Sequence, residues 1–76
     1  MRVLDVLGEI CPLPEVKTKR ALESMIPGEE LKVLVDYPKS VEAIVRWVNR
    51  GKNRILDLKQ VGPCQWEILI RRGENT

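Results

Sequence analysis

The chain contains no histidine and no phenylalanine, and only one tyrosine, two tryptophans and two cysteines among its 76 residues. The missing imidazole excludes Cys-His and Ser-His-Asp nucleophilic chemistry within the chain. Two cysteines without histidine also fall short of a four-ligand zinc site. Neither a metal nor a resident cofactor is therefore expected. Two cysteines build no disulfide framework either. Scarce aromatic rings leave few platforms on which bases could stack. With 13 Lys and Arg against 11 Asp and Glu, the net charge is only +2. That balance is too mild to attract a phosphate backbone by charge alone, so no direct nucleic-acid binding is expected. No apolar run reaches the roughly 20 residues of a membrane span, and the first residues lack the charged, apolar and small-residue segments of a secretory signal. The expected location is cytoplasmic, with no membrane partner.

Hydrophobic residues make up 43% and charged residues 32%, a globular rather than disordered composition. The length fits one domain over residues 1–76. A chain this short buries only about 60% of its unfolded surface, so its core must be efficient.

The order of elements follows from pattern and punctuation. Arg2 to Val6 is apolar and β-branched enough for a first strand, stopped at Gly8. A helix is predicted from about Pro12 to Met25, with Pro14, Thr18, Ala21, Leu22 and Met25 on one face. Pro27-Gly28 ends it. Leu31, Val33 and Val35 alternate as a second strand. A second helix begins near Pro38, with Asp36 its candidate cap, and buries Val41, Ile44, Val45 and Val48, with Trp47 at the stripe's edge. Gly51 closes this helix. Arg54–Val61 and Cys64–Arg71 read as two antiparallel strands joined at Gly62-Pro63. Alternation along the last strand puts Cys64 on the face of Trp66, Ile68 and Ile70, as a buried thiol. Right-handed crossovers place both helices on one face of the sheet. The fold class is α/β (α+β): a two-layer βαβαββ sandwich with a four-stranded mixed sheet. Residues 73–76 are expected to fray.

Cys11 is the candidate reactive group. Pro12 and Pro14 suit the first helical turn, where N–H groups lack intrahelical partners. Cys11 then sits at or beside the N-cap, facing the positive end of the helix dipole and the remaining N–H donors of residues such as Leu13 and Glu15. That setting predicts a thiol pKa below the free-cysteine value of about 8.5. Gly8 can supply the positive φ of a sharp strand-to-helix turn. Leu13 and Val16 fall away from the core stripe, beside Cys11. Either a neighbouring loop covers them or they form a small apolar docking patch. Lys17, Lys19 and Arg20 either add positive potential beside the sulfur or make an ordinary solvated face, offset in part by Glu15 and Glu23.

The string Asp5-x-x-Gly8-x-x-Cys11-Pro12-x-Pro14, followed by Ala21-Leu22, resembles the signature of the TusA-like (SirA-like) sulfur-carrier family. Gly28-Glu29-x-Leu31-x-Val33, Asp36-x-Pro38, Trp47, Gly51 and Ile68-x-Ile70 extend the likeness from Val3 to Arg72. Tyr37 stands where the family usually has a second acid. The resemblance implies the same two-layer fold and one sulfur-carrier domain. It makes Cys11 the catalytic, persulfide-carrying residue, with Asp5, Gly8, Pro12 and Pro14 supporting it and Leu13, Val16, Lys17 and Arg20 meeting partners. It implies a cysteine desulfurase or rhodanese-like donor and a downstream acceptor protein, in tRNA thiolation, molybdenum-cofactor synthesis or sulfur metabolism. A carrier of this kind is a sulfurtransferase that works with partners rather than a stand-alone enzyme. Two other readings stay open: a regulatory or nucleic-acid-binding α/β module, and a redox protein pairing Cys11 with Cys64.

Overall fold

The computed structural model describes residues 2–73. The expected frayed end at 74–76 lies outside the described residues, while Gly73 is tied down, donating its N–H to Asn53 Oδ1 at 3.0 Å. The elements run β1 (Arg2–Asp5), α1 (Leu13–Glu23), β2 (Glu30–Val35), α2 (Pro38–Arg50), β3 (Arg54–Gly62) and β4 (Gln65–Arg71). The sheet order is β1-β2-β4-β3. β1 and β2 are parallel, and β4 is antiparallel to both β2 and β3. Both helices pack against the sheet, giving the expected two-layer α+β sandwich.

The core arises where the two periodicities meet. Leu31, Val33 and Val35 of β2 and Ile68 and Ile70 of β4 alternate onto the helix side of the sheet. Leu22 of α1 and Val41, Ile44 and Val48 of α2 close over them, with Val6 and Met25 completing the buried cluster. Thr18 and Pro14, expected on the inner face of α1, are buried there. Trp47 and Trp66 are half-buried at the margin. Trp47 also carries the Lys19 ammonium 5.3 Å above its ring. β3 is an edge strand and is mostly exposed. Its register shifts between Ile55 and Asp57 and again between Gln60 and Gly62, and such irregular edges resist pairing with another chain. No helix among the described residues is long and apolar enough to cross a membrane.

Two sequence expectations are corrected here. Cys64 is exposed, not buried. Gly62 pairs directly with Gln65, so Pro63 and Cys64 form a two-residue hairpin tip. The period-2 pattern of β4 runs on through Cys64 in sequence, but the strand ends before it. Asp36 does not cap α2: the N-cap residue is Tyr37, with no side-chain cap bond. The Asp36 carboxylate is engaged by the Cys11 loop instead.

Candidate functional site

The loop between β1 and α1 lies at the end of the sheet where the two parallel strands finish. Val6 continues past β1, donating its N–H to Leu34 O at 2.9 Å. Asp5 then turns the chain, its Oδ1 accepting the Leu7 N–H at 2.9 Å. Gly8 follows with φ +82°, a conformation that costs an L-residue about 1–2 kcal/mol. Its N–H is shared by both carboxylate oxygens of Asp36, at 2.9 and 3.1 Å. Asp36 stands at the end of β2, so this contact fastens the loop to the sheet. Space around the Gly8 α-carbon is open, so a substitution meets backbone strain and no clash. Gly8→Ala is expected to lower stability by about 1 kcal/mol, with a smaller loss for Gly8→Asn, which tolerates positive φ better. Denaturant unfolding of the two variants checks the order.

Cys11 precedes Pro12, the N-cap residue of α1, through a cis peptide bond. Pro14 lies in the first turn and is buried. Cys11 thus sits beside the helix start, as the sequence predicts. The fate of the sulfur differs. Leu13 N–H is spent on Ile10 O at 3.0 Å. Cys11 Sγ–H donates to Glu15 Oε2 at 2.8 Å. The exposed thiol is therefore pushed above its ordinary pKa, foremost by this hydrogen bond, then by partial desolvation and the Glu15 charge; Lys39 pulls weakly the other way. The expected downward shift is corrected: a full carboxylate one helical turn away outweighs the fractional charge of the dipole.

Glu15 itself is held below the usual carboxylate value. Burial works against its charge, but the hydrogen bond from the Cys11 thiol and the Lys19 charge favour it, while Ser40 Oγ and Glu15 Oε1 are both buried without a hydrogen-bond partner among the described residues. A lowered carboxyl pKa stabilises the fold above the unfolded value and loses that contribution as pH falls through the folded one. Glu15 is only partly exposed and its Oε1 is buried, and solvent around the rest of the side chain screens part of the contribution.

Besides the Glu15 carboxylate, the segment around Cys11 exposes apolar side chains. Leu13 is 48% exposed and Val16 38%, so no loop covers them. Ile10, at 61%, and Leu7, at 37%, extend the same rim within the loop. The sequence reading missed these two, because a single apolar residue in a loop carries no periodicity. Lys17 is not a free cation: it pairs with Glu9 Oε2 at 2.6 Å. Arg20 is exposed on the outer side of α1. The structure thus gathers Asp5, Gly8, Cys11, Pro12, Leu13 and Pro14 into one loop and first turn, with Val16 and Lys17 on the next. It adds Glu15 and Asp36, whose signals were a four-residue spacing from Cys11 and an acid at a strand end.

The family model described as Sulfurtransferase TusA matches residues 2–72. A Thermotoga maritima protein named as a sulfur carrier is 49% identical over 70 residues, covering 92% of this chain and 89% of its own. One from Methanocaldococcus jannaschii, so named as well, is also 49% identical, over 72 residues and 95% of each chain. A third so named, from Escherichia coli K12, is 33% identical over 73 residues, 96% of this chain and 97% of its own. The crystal structure of a SirA-like protein from Desulfitobacterium hafniense superposes with a TM-score of 0.83 at 28% identity, covering 97% of this chain and all of that one. By its sequence from end to end of the described fold, and by the fold itself, this chain belongs to the TusA family.

Proposed function

We propose that the chain is a sulfur carrier whose Cys11 takes sulfane sulfur from a donor enzyme as a persulfide and relays it to an acceptor protein. The observation that carries this reading is an exposed cysteine at a sheet end, held on a loop fastened by Asp36 and ringed by apolar side chains. In the first step the Cys11 sulfur attacks the outer sulfur of the donor's cysteine persulfide. A new S–S bond forms at Cys11, the donor's S–S bond breaks, and the Cys11 proton ends on the departing donor thiolate. The second step repeats the exchange with the acceptor thiol as nucleophile, and no net oxidation occurs in either. Donors of the cysteine desulfurase or rhodanese class fit this chemistry, as do acceptors in tRNA thiolation, molybdenum-cofactor synthesis or other sulfur metabolism. A cytoplasmic setting, where thiols stay reduced, suits it too.

Glu15 sets the resting state. It shifts Cys11 further toward the neutral thiol, which is the poorer nucleophile and the form less open to oxidation. Once sulfur is loaded, the anionic outer sulfur and the Glu15 carboxylate repel one another. That repulsion favours a persulfide turned outward to the next partner.

Incubation with a cysteine desulfurase and cysteine, followed by intact-mass analysis, tests the function: the chain gains one sulfur atom, and dithiothreitol removes it. No gain from desulfurase or rhodanese donors defeats the proposal. The apolar rim is assigned to partner docking. Leu13→Ala with Val16→Ala is expected to change stability by less than about 0.5 kcal/mol per site, as exposed positions do, whereas core truncations cost about 2–5 kcal/mol. The same double variant slows sulfur uptake from a protein donor and leaves reaction with a small persulfide unchanged. A large drop in the unfolding midpoint makes both residues structural and removes the docking role.

A further inference from the structure

At the other end of the sheet, away from Cys11, a cavity of about 460 Å³ is lined by Pro27, Gly28, Lys52, Arg54, Arg71, Arg72 and Gly73. Its place follows from topology. Pro27-Gly28 leads into β2, β4 ends at Arg71, and β3 begins at Arg54, so all three meet where β2 starts. Cys11 lies past the opposite end, about 20 Å away at some 3.3 Å per strand residue. Three arginines line this one cavity in a chain whose net charge is only +2.

The arrangement is costly for a fold alone. Arg54 and Arg71 are direct cross-strand partners, and like charges so placed destabilise a sheet. Glu30 faces Arg71 from β2, but among the described residues neither arginine forms an ion pair. Arg72 is held in place by its backbone: its N–H donates to Glu29 O at 2.8 Å, and its carbonyl accepts the Gly28 N–H at 2.9 Å. Its Nη1 reaches Asn53 Oδ1 at 3.5 Å and Gly73 O at 3.3 Å. Its Nε is buried and has no acceptor among the described residues, which leaves a charged donor short of a partner. The backbone closes tightly here too: a β-carbon at residue 73 would collide with the Lys52 carbonyl, so Gly73 lets the ends of α2 and β4 draw together.

We propose that this cavity binds a small anion bearing a diphosphate group. The volume is within the range of small-molecule sites. Guanidinium forks match phosphate oxygens in pairs, and three arginines match a multiply charged group better than a single carboxylate. No aromatic or large apolar side chain lines the cavity, so recognition is of the anionic group itself and leaves the rest of the ligand outside. A nucleic-acid strand is the weaker match, because a strand needs a charged groove and stacking rings along its length. The site does not depend on Cys11 and can be filled while the sulfur is engaged.

Amide chemical-shift titration at constant ionic strength tests the proposal, with inorganic pyrophosphate in one arm and ADP in the other. Expected are saturable shifts centred on Gly28, Arg54, Arg71, Arg72 and Gly73 in both arms, unchanged in Cys11→Ser. Equal affinity in the two arms assigns the diphosphate alone; tighter ADP binding assigns a nucleotide, and either supports the site. Arg54→Gln with Arg71→Gln should weaken binding at least tenfold. Pyrophosphate should also raise the unfolding midpoint of the unaltered chain by mass action, a readout that stands even if the double variant folds poorly. No saturation by about 10 mM, equal shifts with sodium chloride, or tighter binding of a single-stranded RNA oligomer through these residues would each overturn it.

Discussion

Cys11→Ser is expected to abolish sulfur uptake outright, while Cys64→Ser leaves it intact. Accessibility does not separate the two thiols, since both are exposed and free. Their settings do. Cys11 is on a loop held by the Gly8–Asp36 contact, within an apolar rim that a donor enzyme can cover. Cys64 occupies the tip of the β3–β4 hairpin, between Pro63 and Gln65, beside an edge strand. A sulfur atom passes between proteins only when the donor persulfide is held in line with the accepting sulfur, and the Pro63-Cys64 tip, though Val61 is exposed nearby, lacks the fastened loop and helix start that fix Cys11. Two measurements on the same samples make the distinction. A small alkylating reagent should label both cysteines of the unaltered chain. Desulfurase-driven sulfur should add a single atom, lost only in Cys11→Ser. Equal loss in both variants revives the reading in which the two thiols act as a pair.

The exposure of Cys64 also shows where sequence reasoning reaches its limit. Alternation through Trp66, Ile68 and Ile70 gives the face of the sheet correctly, because a side-chain period of two leaves no other register for a strand with a buried side. It does not give the strand's first residue, which is set by how tightly the hairpin closes, here by Gly62 opposite Gln65. The helices were legible for a similar reason: their prolines sit where no N–H is needed, and the spacing of Thr18 and Leu22, or of Val41, Ile44 and Val48, admits one inward face. Asp36 is the reverse case. As an acid before a proline it reads as a cap, yet its partner is Gly8, 28 residues away. Only the parallel pairing of β1 with β2 brings them together, and no local pattern records that pairing. The apolar rim was half legible. Leu13 and Val16 betray themselves against the helical period, while Leu7 and Ile10 have no period to break.

Replacing Glu15 by Gln is expected to bring the Cys11 midpoint down and to make the resting thiol more reactive at neutral pH. The sign follows from the contact. In the folded chain Sγ–H donates to a carboxylate, which favours the protonated sulfur, and the same negative charge opposes a thiolate beside it. Glutamine keeps the length and an acceptor oxygen but loses the charge, so both effects shrink. Lys39 and the start of α1, which favour the anion, then act with less opposition. Below the midpoint, each unit of decrease raises the thiolate fraction about tenfold. Part of that gain is returned because a less basic sulfur is a weaker nucleophile, which leaves about a threefold rise in rate per unit. Alkylation by iodoacetamide followed across pH measures midpoint and rate together, best in a Cys64→Ser background so that a single thiol reports. Sulfur uptake from a desulfurase should quicken with alkylation, because the same thiolate attacks in both reactions. Retention of the loaded persulfide should fall less sharply on raising pH than in the unaltered chain, since the outer sulfur no longer meets a carboxylate. An unchanged or raised midpoint in Glu15→Gln would mean that Glu15 does not hold the thiol in solution, and the guarded resting state would have to be abandoned while Cys11 kept its place as the sulfur-bearing residue.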